Sequence, residues 1–189
     1  MKLSTTASCP LCCSEIVFDW ETQEIPYFGE AMMVTGNCSC GFRHADTILL
    51  SSKEPSRYTL PVESMDDLDA RVIRSSSGTI RIPELGVDVE PGCASESYIT
   101  NVEGILDRVQ GIVEFATRTA REAKDPDRTR KGEEILETME QVRLGRSRVT
   151  LVLEDPLGNS AIASEKAVYT RLTEEEIDSL KTGMVVLDL

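Results

Sequence analysis

Cys9-Pro10-Leu11-Cys12-Cys13 and, 25 residues beyond Cys12, Asn37-Cys38-Ser39-Cys40-Gly41-Phe42-Arg43-His44-Ala45-Asp46 hold five of the chain's six cysteines and its single histidine. Two close-spaced cysteine pairs separated by such a loop match a zinc ribbon. There, each pair sits on a tight turn at a hairpin tip and four sulfurs meet tetrahedrally. Gly41, just after a ligand position, allows a positive φ, so that amide N–H groups can turn toward the thiolates. The set expected to hold one structural Zn2+ is Cys9, Cys12, Cys38 and Cys40. Cys13 stands where a glycine is usual and the second pair is the shorter C-x-C, so Cys13 in place of Cys12, or His44 in place of Cys38, stays open. Four thiolates leave no coordination position for water, which makes the site structural and not catalytic.

Other uses of these thiols fit less well. Cys9-Pro-Leu-Cys12 has the C-P-x-C form of a redox motif, but that chemistry needs a preceding strand and a helix N-terminus. Only eight residues precede Cys9, and the segment beyond Cys13 reads as β. A zinc deaminase needs H-x-E ahead of its cysteines, whereas His44 comes after the first pair. A single histidine also argues against a two-histidine iron site or a Ser-His-Asp triad. Cys93, far from the others, reads as a small buried apolar residue. No phosphate-binding loop or dinucleotide fingerprint occurs, so no nucleotide cofactor is expected. Tandem carboxylates such as Asp66-Asp67 and Glu133-Glu134 read as solvated faces and caps.

The 189 residues are 40% hydrophobic, enough for a core, and carry a net charge of -13. Residues 1–52 hold six acidic against two basic side chains, the wrong sign for a nucleic-acid-binding ribbon, which is the alternative reading of the cysteines. The first residues lack an apolar signal region and no run suits a membrane span, so a cytoplasmic protein is expected.

Beyond a polar boundary near residue 52, short runs at 58–62, 70–74, 78–82 and 87–89 predict strands of a sandwich-like or barrel-like unit. From Ile99 the period changes. Ile99, Val102, Ile105, Leu106, Val109, Ile112, Val113, Ala116 and Ala120 mark one helical face, with Thr100-Asn-Val-Glu103 as its capping box. Gly104 and Gly111 predict a close packing partner. Asp125-Pro126 opens a second helix with Ile135, Leu136, Met139 and Val142 on its stripe and Gly145 past its end. An antiparallel helical hairpin at about 98–145 thus interrupts the β pattern, which resumes at 148–153 and 160–163. The chain closes on a tail with Tyr169, the cap-like Thr173-Glu174-Glu175-Glu176 and the apolar run Met184–Leu187.

Several of these segments together resemble the ZPR-type zinc finger family: Cys-x-x-Cys, Glu24–Phe28 and Cys40-Gly-Phe-Arg43 with Asp46, then Arg57-Tyr58, Asp67-Leu68, Arg71-Val72, Thr79–Leu85, Thr100–Ile105 and Leu153–Ser160. The resemblance runs in order from Cys9 to Ser160 and is closest to a single-module archaeal form, where eukaryotic members carry two modules. It implies a mainly β chain with an α-helical hairpin: a zinc ribbon at 1–52, then a double-stranded β-helix (jelly-roll-like) domain at 53–189 with the hairpin inserted. It also implies a non-enzymatic binder, and folding assistant, of translation elongation factor 1A. On the ribbon, Tyr27, Phe28, Met32 and Met33 are the candidate partner contacts, methionines being adaptable at such surfaces. The ribbon's own small core is the competing role for each of them.

Overall fold

The computed structural model describes residues 2–25, 29–50, 54–92 and 95–182. Tyr27, Phe28, Cys93, the boundary near residue 52 and the run Met184–Leu187 lie outside them. Four antiparallel strands come first: β1 (Lys2–Ser8), β2 (Glu15–Ile25), β3 (Gly29–Asn37) and β4 (Arg43–Leu49), a meander in which each strand pairs with the next. This sheet is a single layer, and one face of it sets Phe18, Trp20, Met32 and Ile48 side by side. Gly36 lies opposite both Phe18 and His44. A Cβ at Gly36 would stand 2.7 Å from the Phe18 ring, so the missing side chain lets that ring lie flat on the strand.

The second part is a two-sheet jelly roll. One sheet runs in the order β12 (Val168–Arg171), β5 (Ser56–Val62), β10 (Val149–Asp155), β7 (Thr79–Ile82), β8 (Val87–Val89). The other is β11 (Ala161–Ala163), β6 (Arg71–Arg74), β9 (Tyr98–Asn101). Leu60, Val62, Ile80, Ile82, Leu151 and Leu153 from the first sheet meet Val72 and Ile162 from the second in one core. Burying such side chains contributes about 1.5–3 kcal/mol each.

Into the same core the helical hairpin lowers Ile105, Leu106, Val109 and Val113 of α1 (Val102–Glu122) and Met139 and Val142 of α2 (Pro126–Arg143). The helical period predicted from Ile99 begins later, because Tyr98–Asn101 pairs with β6 as β9. The cap is Asn101, whose side chain accepts from Gly104 N–H at 2.9 Å, and not Thr100. Asp125 caps α2 through Arg128 N–H at 3.1 Å, and Gly145 at φ 66° lies just past its end. A short α3 (Glu174–Ser179) carries the capping box between Thr173 and Glu176.

Of the two glycines expected to be tightly packed, Gly104 is, since a Cβ would meet Thr100 Oγ1 at 2.1 Å. Gly111 has nothing within 4 Å. The close approach between the helices is at Gly132 of α2 instead.

Two polar nodes lock the jelly roll. Glu154, 5% exposed on β10, accepts from Arg57 on β5 and from Arg81 Nε on β7 at 2.7 Å, joining three adjacent strands. Asp155, fully buried, accepts from the hydroxyls of Ser75, Ser77 and Ser160 at 2.6–2.7 Å and from Leu157 N–H at 2.9 Å. With both oxygens so engaged, Asp155 pins the 75–78 turn to the turn after β10, a structural task that accounts for the Leu153–Ser160 segment.

The sheet bearing the cysteines is not a separate bead. Ile25 and Ala31 from β2 and β3 pack in one buried cluster with Ile73 of β6 and Ala161 of β11.

Candidate metal centre

Each cysteine pair occupies a tight turn at the same end of the four-stranded sheet. The first turn, between β1 and β2, is closed by Cys9 N–H to Ser14 O at 2.7 Å and Cys13 N–H to Cys9 O at 2.9 Å. The second, between β3 and β4, is closed by Cys38 N–H to Phe42 O at 2.8 Å and Gly41 N–H to Cys38 O at 3.0 Å. Gly41 takes φ 95°, as its place after the second pair requires. Cys13 takes φ 59°, the left-handed conformation that a glycine there would adopt freely. The two turns differ in length but share a left-handed residue directly after the second cysteine.

The register brings the four sulfurs of Cys9, Cys12, Cys38 and Cys40 within 4.8 Å of one another. Cys9 and Cys40 are 3.7 Å apart, Cys12 and Cys38 3.5 Å. A tetrahedron of zinc–sulfur bonds of about 2.3 Å has edges of about 3.8 Å, so the donor set and its spacing fit one zinc ion. The Cys13 sulfur lies outside this group. His44 also lies outside it, packing edge-on against Phe18 with ring centroids 5.7 Å apart. Cys9 is buried, while Cys12 and Cys40 are exposed.

Thiols packed this closely cannot all ionise without a cation. Hydrogen bonds from the Ser14 side chain and backbone, then from Cys40 and Cys38, hold Cys12 down to about 6. At Cys40 the Phe42 backbone bond works downward, but the bonds to Cys12 and Cys38 dominate together with desolvation and push it up to about 12. Such a split, a thiolate at Cys12 beside a Cys40 thiol that keeps its proton, is the state a divalent cation would draw into a common ligand set.

Of the other candidate residues, Met32 and Met33 are half-buried and lie on opposite faces of β3. Met33 lines a cleft between this sheet and the jelly roll. Tyr27 and Phe28 lie outside the described residues. Two features escape a reading of the sequence. Phe18 and Trp20 join Met32 and Ile48 on the open face of the sheet, and their alternation along β2 is the signal that could have found them. A groove of roughly 550 Å3 runs between β8 and the hairpin, with Ile112 50% and Phe115 62% exposed at its wall. Phe115 falls off the helical stripe that reads as core.

No helix among the described residues is long and apolar enough to cross a membrane. The ZPR1 jelly-roll domain family matches residues 66–181. A ZPR1-like protein of Methanocaldococcus jannaschii is 41% identical over 96% of this chain and 91% of its own length. One of Pyrococcus horikoshii is 41% identical over 86% of this chain and 74% of its own. The zinc finger chaperone zpr1 of Schizosaccharomyces pombe is 29% identical over 82% of this chain but only 34% of its own length. This chain, a jelly roll with inserted helices preceded by four clustered cysteines able to hold one zinc ion, matches the family model over more than half of its length and an archaeal relative over nearly all of it, and so belongs to the ZPR1 family.

Proposed function

We propose that this chain is a non-enzymatic, cytoplasmic protein-binding module that holds one structural zinc ion on Cys9, Cys12, Cys38 and Cys40 and binds translation elongation factor 1A, assisting its folding. Zinc would supply a rigid clamp between the two turns and no open coordination position. The partner is the one implied by the family resemblance, and the name of the fission yeast relative, a chaperone, favours folding assistance. The observation that carries the reading is the pair of uncovered apolar surfaces. One is the sheet face of Phe18, Trp20, Met32 and Ile48; the other is the hairpin groove with Ile112 and Phe115. Tyr27, Phe28 and Met33 remain proposed contacts beside them.

Unfolded elongation factor 1A diluted into buffer with the zinc-loaded chain should refold in higher yield without added nucleotide, and the two should co-elute on a sizing column. Phe115→Ser combined with Ile112→Ser should lower both effects while leaving zinc content unchanged. No gain in yield together with no complex sinks the proposal. A salt-sensitive complex with tRNA or duplex DNA would favour the nucleic-acid reading, against which the acidic ribbon stands.

A further inference from the structure

A cleft of roughly 530 Å3 lies between the cysteine-bearing sheet and the jelly roll, in the size range of small-molecule sites. Met33, Ala45 and Thr47 form its wall on the sheet side, and Arg74, Tyr98 and Arg108 face them from β6, β9 and α1. Arg74 is only 5% exposed. Its Nε donates to Gly78 O at 2.9 Å and its Nη1 to the Ser95 hydroxyl and to Glu96 O, all neutral acceptors. Among the described residues no carboxylate lies within ion-pair distance of it. Asp155 acts on it only through space, because both oxygens of that carboxylate are taken by serine hydroxyls.

Arg108 makes no ion pair among the described residues either, and its guanidinium carbon sits 4.1 Å from the centre of the Tyr98 ring. Arg74 approaches the same ring at 5.8 Å. Two guanidiniums thus gather on one aromatic ring at a cavity, in a chain whose net charge is -13. A buried cation that bonds only neutral acceptors, with the nearest carboxylate spent on hydroxyls, is costly, and the planar guanidinium fork matches oxyanions.

We propose that this cleft is an oxyanion-binding site, taking the phosphoryl or carboxylate group of a small molecule on Arg74 and Arg108. Tyr98 holds the Arg108 fork in place by stacking, and Thr47 adds a hydroxyl on the opposite wall. Glu96, the acidic residue lining the cleft, opposes the anion from the rim. A bound oxyanion would join the two parts of the chain, since its partners come from both. The site is independent of the elongation-factor reading.

The test is calorimetric titration of the zinc-loaded full chain with inorganic phosphate and, separately, with succinate, each against sodium chloride at matched ionic strength. Saturable binding of either is expected, phosphate alone marking a phosphoryl site and succinate alone a carboxylate site. Arg108→Gln, at an exposed position and so folded, should weaken binding roughly tenfold or more, as loss of a charge-assisted bond does. Glu96→Gln should tighten it, and Arg118→Gln, which stacks on Phe115 outside the cleft, should leave it unchanged. No binding of either anion above chloride, or an Arg108→Gln protein that binds as tightly as wild type, overturns the proposal.

Discussion

Thr117 of α1 fills the space that a side chain at Gly132 of α2 would need: a Cβ there would stand 2.0 Å from Thr117 Oγ1 and 3.0 Å from Thr117 Cβ. Thr117 is buried and its hydroxyl donates to Val113 O at 2.7 Å, so it has little room to yield. Gly132→Ala gains about 1 kcal/mol of helix propensity but meets this contact, and overpacking costs about 1–3 kcal/mol. The substitution should therefore lower stability in chemical denaturation. Thr117→Ala in the same chain should restore it. An alanine at 132 that stabilises the protein by itself would show that the helices are not pressed together there.

Zinc removal should act on one end of the molecule. The isolated protein should carry one zinc ion, and serine at position 9, 12, 38 or 40 should abolish stoichiometric binding, whereas Cys13→Ser and His44→Ala should keep it. Chelation should release amide-exchange protection in β1–β4 first. Because Cys12 ionises near 6 while Cys40 holds its proton up to about 12, zinc must displace protons, so its affinity rises with pH across the neutral range. Titration in two buffers of different ionisation heat would count those protons, and a count of zero would contradict the thiolate set.

Acid should find a different weak point. Burial pushes the Asp67 carboxyl upward. The ammonium of Lys166 at 2.7 Å, the N–H groups of Glu63 and Ser64 and the Ser64 hydroxyl outweigh it and hold the group at about 2. A depressed carboxylate adds stability that is complete above its unfolded value of 3.8 and is lost as pH falls through about 2. Asp67→Asn, whose amide oxygen can keep the bonds from Glu63 and Ser64 but whose NH2 then faces the Lys166 ammonium, should cost about 1–3 kcal/mol at neutral pH. The gap to wild type should narrow below pH 3, as denaturation curves at both pH values would show.

Glu154 should be worth more than a surface ion pair, being 5% exposed and shared by Arg57 and Arg81. Glu154→Ala removes the carboxylate shared by two guanidiniums, each of which keeps one other partner, Glu176 for Arg57 and Asp88 for Arg81, and should destabilise by about 1–3 kcal/mol. High salt should change the wild type little, since a buried group is poorly screened. A loss under 1 kcal/mol on melting would reduce this node to an ordinary surface contact.

The features legible in the sequence were those written in local chemistry. Cysteine spacing marked both turns, and Asp125-Pro126 with Gly145 bracketed α2 because caps are made by neighbours in the chain. Runs such as Val87–Val89 stood out because apolar residues alternate there. What escaped depends on distant partners. Tyr98–Asn101 carries the helical stripe onward, yet it pairs with β6, and no local signal distinguishes the two. β12, exposed along its length, has no apolar pattern and is held by pairing with β5. Gly132 reads as a flaw in a helix until Thr117 is seen beside it. At the cleft, Arg74 and Arg108 are distant in the chain and ordinary in isolation; only folding sets both on Tyr98.

The shared cluster of Ile25, Ala31, Ile73 and Ala161 changes what a fragment of this protein would be. Cutting the chain ahead of β5 would strip a cover from Ile73, now fully shielded, and leave an oily spot on the jelly roll's shorter sheet. Such a truncated piece would self-associate at concentrations where the intact chain stays dispersed, and losing the clamped end would be felt as stickiness in the part that never touched the metal.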